Sequence, residues 1–565
     1  MLSPFPLRSL PDKVAVSNLG FCGFLSHRSG ELPNTDSPQL SPTQVRSRLV
    51  LWLELLTVGA IVATGVAFRL IAIDRIPGLN GDEAWFGVQV TDALAGRPFH
   101  WHTPTGNPLS PFHAGVLYLL HLAHPAPAFW LLRVPSLAAG LLLVGLAYPM
   151  LHKPLGSRAA MVATLLLASL PVAIIYSRIG WDPSQSPCAV LVCLGLVFQR
   201  RYLWAVCAFL AALLVHPSNI FAAPALLGPL AADGIVWLVQ QQPTTRKRVL
   251  RWIAPGCTAL VLVVLALPAL LAPDRTVVHW GAILRRAIDP RAMVDFAIAF
   301  GRLFSGATSY RYIVGDVPAG WVLGTDIAFW ILCGGLGALG MRRLVRQRQW
   351  QTLGLAGGLL LSLTAFYLVA GVAAIRPHHE RYALFCIPLV AVLFAKLVAV
   401  VDPNESHKVV PLIGTALLCA AMLVGFHTRY FRAFERTGGA SHETYWTGVK
   451  ELKQAAFDIV ARNSDNESVI LLAESWWLYW PMRYLAAGQG RIQVVAIDSA
   501  GTAAALSTLG KGRRAFAVGF AGGTLERLDE RRQSTLRTWS LANAVGKDVL
   551  YVWELTPSAT VRRTE

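Results

Sequence analysis

Charged residues are scarce. They make up 15% of the 565 residues, while 54% are hydrophobic, against roughly a quarter charged in a soluble protein. Together with apolar runs that recur down to about Phe426 and then stop, this scarcity excludes an ordinary soluble domain and points to a polytopic membrane protein with a soluble tail. Acidic residues are fewer still, leaving a formal charge of +18. The surplus lies in short loops between apolar runs, which is the pattern of membrane orientation and not of nucleic-acid binding. Cysteine is absent from the tail, and seven of the eight cysteines lie at Cys188, Cys193, Cys207, Cys257, Cys333, Cys386 and Cys419. No metal-type spacing occurs among them, so neither a disulfide framework nor a cysteine site is expected. The tail also lacks a phosphate-binding glycine loop, since Gly519-Phe-Ala-Gly-Gly-Thr524 has neither the spacing nor the lysine.

The first 48 residues hold no long apolar run. Rich in Ser, Pro and Gly, they read as a disordered cytoplasmic tail rather than a signal peptide, or in part as sequence ahead of the true start. Spans are expected at about Leu49–Ile73, Phe129–Met150, Ala159–Tyr176, Pro187–Phe198, Leu203–Val215, Ile220–Val239, Trp252–Leu271, Trp321–Met341, Gln351–Ala373, Tyr382–Val401 and Val409–Phe426, about eleven transmembrane helices. Pro111–Ala123 is too short to span and is read as a juxtamembrane helix. That choice puts His152–Arg158, Arg200–Arg201, Arg246–Arg251 and Arg342–Arg348 all in the cytoplasm. Residues 434–565 read as a small α/β domain on the opposite side. A helix is expected over Tyr445–Ala461 and strands at Ser468–Ala473, Gln493–Ile497, Ala515–Phe520 and Val549–Glu554. The setting is a cell (inner) membrane, crossed many times, with the amino terminus cytoplasmic and the tail domain extracytoplasmic.

This topology brings distant polar residues to one membrane face: Asp82 in the first loop (74–110), Arg178 and Asp182, His216, and His379-Glu380-Arg381. The pair Asp82–Glu83 follows the first span directly, trailed by Trp85 and Phe86. A carboxylate there suits general-base work on an acceptor hydroxyl and stabilisation of an oxocarbenium-like sugar; it equally suits capping a helix that begins at Glu83 to Trp85. Arginine grips a leaving phosphate in a planar fork, which singles out Arg178, Arg376 and Arg381, although each also fits a charge snorkelling to the interface. Val88–Ala95 is read as a short surface helix. His102 and Asn107 in the first loop and His216 are candidate substrate contacts. The spacing of His100 and His102 fixes no third ligand, so a divalent metal is not required and no cofactor is expected. Tyr310, Arg311 and Tyr312 lie in a long loop, Ala272–Gly320, placed to close over the site.

Asp82-Glu-Ala-Trp-Phe86 after the first span, Arg133-Val-Pro-Ser136 opening the second, Tyr176-Ser-Arg178 with Asp182, and Glu380-Arg-Tyr382 opening a late span resemble the membrane glycosyltransferases of the GT-C fold that include protein O-mannosyltransferases and the lipid A aminoarabinose transferase. The resemblance covers about Leu49 to Phe426. It implies an inverting transfer from a polyprenyl-phosphate sugar donor to an acceptor glycan, lipid or protein. Asp82 would be the catalytic residue with Glu83 beside it, and Asp182 the second-loop acid. The loop arginines, Arg178 and Arg381, would hold the lipid phosphate, supported by His379, Glu380 and Tyr382. Gly106-Asn107-Pro108-Leu109 stands where many members carry His-Pro-Pro-Leu or Lys-Pro-Pro, so the cation there must come from elsewhere, with His102 a candidate. The bilayer is a partner and nucleic acid is not. A non-catalytic carrier or scaffold is the rival from another class; a carrier would place charges at mid-membrane, and here they gather at one interface. An oligosaccharide transferase or polymerase of the same fold is the other alternative.

Overall fold

The structure, a computed structural model, describes residues 42–555 apart from 104–105, 242–279, 316–319, 377–378, 402–408, 440–443, 446–449, 498–513 and 527–534. It divides into two units, Met1–Leu55 and Leu56–Glu565. The described part of the first opens the helix Pro42–Leu70, and its Leu49, Trp52 and Leu53 side chains are exposed, as suits a surface whose solvent is lipid.

In the larger unit the membrane part is a bundle of apolar helices. Among the described residues six helices are long and apolar enough to cross a bilayer: Leu49–Leu70, Phe129–Leu155, Pro217–Gln240, Leu323–Arg346, Trp350–Ala370 and Val410–Thr437. Ser157–Ser169 and Pro171–Ser177 pass the same test of length and composition together, as a broken pair bent by 59°. The break has a local cause. Pro171 forces Leu170 out of the helical region, to φ −62° and ψ 118°. Asp182–Phe198, Tyr202–Val215 and Cys386–Val400 are shorter apolar helices, as is Pro111–Ala123, the expected juxtamembrane piece. Every expected span falls on a helix except Trp252–Leu271, which lies outside the described residues.

Two expectations are corrected. The first-loop helix is not a short surface helix at Val88–Ala95. It runs Gly81–Leu94, with Glu83–Val90 and Asp92 buried. Asn80 opens it, accepting from Asp82 N at 2.8 Å while Glu83 Oε2 accepts from Asn80 N at 3.0 Å, a reciprocal capping box. The long loop Ala272–Gly320 is, where described, mostly two helices, Trp280–Ile288 and Pro290–Ser305; Phe296, Phe300, Leu303 and Phe304 are buried. Tyr310 is buried against Phe426 and Arg311 is exposed, and neither lines the cavity that holds Asp82.

The tail carries a five-stranded mixed sheet of order β2-β1-β3-β5-β4, with β1 Val469–Glu474, β2 Ile492–Ile497, β3 Ala515–Phe520, β4 Thr535–Ala542 and β5 Asp548–Leu555. β1 pairs in parallel with β2 and β3; β5 runs antiparallel to β3 and β4. β4 is the strand not anticipated. It is an edge strand with Leu536, Arg537, Thr538 and Ser540 exposed, and its apolar alternation is confined to the short stretch Trp539-Ser-Leu541. The tail's first helix is Leu452–Asn463, which begins where Glu451 accepts from Gln454 N at 2.8 Å. Asn80→Ala removes the cap that starts the Gly81–Leu94 helix and is expected to cost about 1 kcal/mol, read as a lowered Tm in detergent.

Candidate active site

Asp82 and Glu83 are neighbours, but a helix turns 100° per residue, so they face different surroundings. Glu83 points inward and is fully buried. Its Oε1 accepts from Arg133 Nε at 3.1 Å and from Gly180 N at 2.6 Å; Oε2 accepts from Asn80 N and Arg133 Nη2. Arg133 spends its remaining donors on the carbonyls of Ile73, Pro77 and Gly78. A side chain at Gly180 would sit 2.3 Å from Leu132 O, which is why glycine stands there. Glu83 is thus part of the frame and does not reach the site.

Asp82 points the other way, into a cavity of about 440 Å³. Its walls come from five distant segments: Asp82, Trp85 and Phe86 from the first helix; Thr103 and Asn107 from its loop; Trp181, Asp182 and Pro183 from the turn after the broken pair; His216; and His379, Arg381 and Tyr382. The tail adds Trp476 and Trp477. Arg381 Nη1 lies 3.4 Å from Asp82 Oδ2, and its guanidinium stacks over Trp181 at 4.3 Å and Tyr382 at 5.3 Å. Trp476 Nε1 donates to Asp82 Oδ1 at 3.0 Å.

The second acid sits in a drier place. Burial pushes the Asp182 carboxyl up to about 7, against the opposing pull of Arg381 and the Ser110 backbone. His216 is driven down to about 3 by burial and by Arg381. It is therefore neutral, with Nδ1 accepting from Ser218 N at 3.1 Å. Burial and Arg381 likewise lower His379, whose ring stacks on Tyr382. The loop wall is set by a tight turn in which Thr103 N donates to Asn107 O and Asn107 N to Thr103 Oγ1.

Three expected residues lie elsewhere. Arg178 does not line the cavity. Its guanidinium donates to the carbonyls of Phe68, Arg69, Ile71 and Ile76 and packs over Tyr430 and Phe431. It closes the carboxyl end of the first helix, where orphan carbonyls need donors. Glu380 is buried, accepting from Ser309 Oγ at 2.7 Å, and burial raises its carboxyl. His102 is exposed and pairs in an isolated bridge with Pro108. Residues not anticipated are Trp181, Trp476 and Trp477. Trp181 sits beside the Asp182 motif, but nothing in the tail's sequence marks a tryptophan pair as part of a distant site. Among the described residues no group of three His, Cys, Asp or Glu is placed to hold a metal ion.

No protein-family model matches the chain, and no curated protein is similar to it in sequence. Solved structures are similar in fold. ArnT from Cupriavidus metallidurans bound to undecaprenyl phosphate aligns over 90% of this chain and 98% of that one, with a TM-score of 0.50 at 14% identity. The fold is GT-C. The same ArnT in its apo state gives 0.49 at 13% identity, over 89% of this chain and 98% of that one. The Archaeoglobus fulgidus oligosaccharyltransferase tethered with an acceptor peptide gives 0.47 at 13%, covering 83% of this chain and 69% of that one. Identity this low leaves the GT-C likeness as one of architecture alone.

The division between Asp82 and Glu83 is measurable as stability. Glu83→Ala strips a buried pair of one partner and is expected to cost about 3–5 kcal/mol, whereas Asp82→Ala, partly open to solvent, is expected to change the Tm little.

Proposed function

We propose that the chain is an inverting glycosyltransferase that moves a sugar from a polyprenyl-phosphate donor to an acceptor, with Asp82 as the general base. The observation that carries this reading is the cavity itself. It sets a carboxylate, a stacked arginine and a wall of aromatic rings at the ends of membrane helices. That combination suits an amphiphilic donor: rings for the sugar face, Arg381 for the phosphate, and lipid nearby for the tail. An apolar cavity of about 1090 Å³ lined by Phe300, Ile327, Trp330, Ile331, Leu393 and Phe394 offers room for an isoprenoid chain. ArnT, which shares the fold, was solved with undecaprenyl phosphate bound, which supports the donor class.

In the reaction the acceptor hydroxyl oxygen attacks the anomeric carbon from the face opposite the phosphate. The bond from that carbon to the phosphate oxygen breaks, the proton of the hydroxyl passes to Asp82, and polyprenyl phosphate leaves with the bonding electrons. Asp82 takes the proton late, as the sugar gains oxocarbenium character. Arg381, with His379 and Tyr382 beside it, neutralises the departing phosphate. Asp182, held neutral below about pH 7, orients the acceptor without adding a second negative charge near the phosphate. The site lies on the extracytoplasmic face of the cell membrane, and the amino terminus is cytoplasmic, as the basic loops require.

Purified protein incubated with radiolabelled undecaprenyl-phosphate sugars is expected to release undecaprenyl phosphate, with Asp82→Asn slower by about 10²–10⁴-fold; full transfer by Asp82→Asn would falsify the assignment. Arg381→Ala removes a charge-assisted contact of about 1.5–3 kcal/mol, so the KM for donor rises roughly ten- to a hundredfold. An unchanged donor affinity would remove only the phosphate role.

The pH dependence follows from Asp182. Its carboxyl holds a proton more tightly in the folded site than in the unfolded chain, so it is neutral below about pH 7 and ionises above. The donor is a phosphodiester with a fixed charge, so kcat/KM for donor is expected to fall as pH rises through about 7. Asp182→Asn, which stays neutral, is expected to abolish that limb. The same shift lowers stability as pH climbs from about 4 to about 7, because the unfolded carboxyl has already lost its proton.

A further inference from the structure

Trp476 belongs to the tail, yet it makes a direct hydrogen bond to Asp82. Three features show that the fold is built to bring it there. The first is the junction that delivers it. β1 ends at Glu474, and the helix Ser475–Leu485 starts at once, with Ser475 at φ +61°, a backbone region that L side chains rarely enter. The turn is held by Glu474, whose carboxylate accepts from Phe520 N at 3.0 Å and from Thr524 N. The glycine-rich stretch Gly519–Thr524 therefore cradles a side chain of the same domain. Trp476 emerges at the carboxyl end of a parallel strand, the edge where open α/β sheets place their functional groups.

The second feature is the space kept for it. A Cβ at Gly81 would lie 2.7 Å from Trp476 Cδ1 and 3.0 Å from Trp476 O. The residue just before Asp82 is thus glycine where the indole crosses the helix start. The third is the docking around it. Glu451 Oε1 accepts from Leu79 N at 3.1 Å, Lys453 donates to Leu79 O, and Arg483 pairs with Asp92 at 2.6 Å. Tyr484 OH donates to Ala128 O at 3.1 Å. These contacts bracket Asp82 at both ends of its helix and fix the tail against it.

We infer that Trp476 is a positioning residue for the transfer reaction, and that the tail domain completes the active site by fixing the orientation of the Asp82 carboxylate. Arg381 binds one carboxylate oxygen and the indole N–H the other. With both held, the carboxylate cannot rotate about its terminal torsion, and its remaining lone pairs face the cavity where an acceptor hydroxyl must lie. This rests on the reading of Asp82 as the base.

The test uses the full chain in detergent with a radiolabelled undecaprenyl-phosphate sugar that the wild-type protein turns over, scoring release of undecaprenyl phosphate. Trp476→Phe keeps an aromatic ring beside Trp480 and removes the N–H along with the rest of the five-membered ring. It is expected to lower kcat roughly ten- to a hundredfold with the KM for donor unchanged. Gly81→Ala, a change that favours a helix on its own, is expected to reproduce that loss by pushing the indole away. In the Asp82→Asn background Trp476→Phe is expected to cost nothing further, because it acts through Asp82. Wild-type kcat in Trp476→Phe, with Asp82→Asn slowed as expected, overturns the positioning role and leaves the base assignment standing. An equal further loss in the double variant also overturns it, by showing an independent effect. Full activity of Asp82→Asn overturns both.

Discussion

The buried pair of Glu83 and Arg133 is the constraint on which the site depends. Removing two charges from water is costly, and their attraction compensates only when every remaining donor and acceptor is satisfied. Here five backbone groups meet that condition: the N–H groups of Asn80 and Gly180 and the carbonyls of Ile73, Pro77 and Gly78. These partners come from two pieces of chain, Ile73–Asn80 and the turn at Gly180, while Arg133 itself belongs to a third. The pair therefore fixes the end of the first span, the start of the first-loop helix and the turn before Asp182 in one arrangement. Once Glu83 is committed inward, helical geometry sends Asp82 outward into the cavity.

Arginine is divided in the same way. Arg178 is fully buried and caps the carbonyls that end the first membrane helix, while Arg381 is held at the cavity by Trp181, Tyr382 and Asp82. The first serves structure because its guanidinium has no free face. The second keeps one plane against an aromatic ring and its edge toward the cavity, which is what binding a phosphate needs. The two acids of the cavity divide as well. Asp82 accepts from an indole N–H and faces an arginine, whereas Asp182 is desolvated enough to stay protonated near neutral pH. Two carboxyl groups in unlike surroundings can hold unlike protonation states, which is the division that the proposed roles of base and neutral hydrogen-bonding group call for.

What was legible in the sequence follows from which signals are local. Apolar runs report spans directly, and the broken pair at Pro171 kept its place because proline acts on its own neighbour. Asp82, Asp182, His216 and Arg381 could be gathered from topology alone, because each follows or precedes an apolar run on the same side. The roles of Glu83, Arg178 and Glu380 could not. A charged residue at a span end looks the same in sequence whether it faces a cavity or caps buried carbonyls; the difference is a rotation about the helix axis or one turn of chain. β4 was missed because an edge strand needs little apolar surface. The tail's tryptophans were missed for another reason: their partner is almost four hundred positions away, as the separation of 394 between Trp476 and Asp82 shows.

That separation bears on how the molecule is built. The membrane helices alone would leave one oxygen of Asp82 open to water, since its other neighbour, Arg381, reaches only the second oxygen. A hydrated carboxylate reorients freely, and its solvent must be reorganised before it can take a proton. Closing that side with an indole supplies a donor with no acceptor of its own, so it can bind the carboxylate but cannot compete for the acceptor's proton. Arginine or lysine in the same place would add a positive charge beside Arg381 and compete with it for the proposed donor phosphate. Tryptophan gives direction without charge, and its ring extends the aromatic wall that a sugar face can stack on. A soluble domain attached after the last span is therefore suited to finish a site that the bilayer-embedded part can only begin.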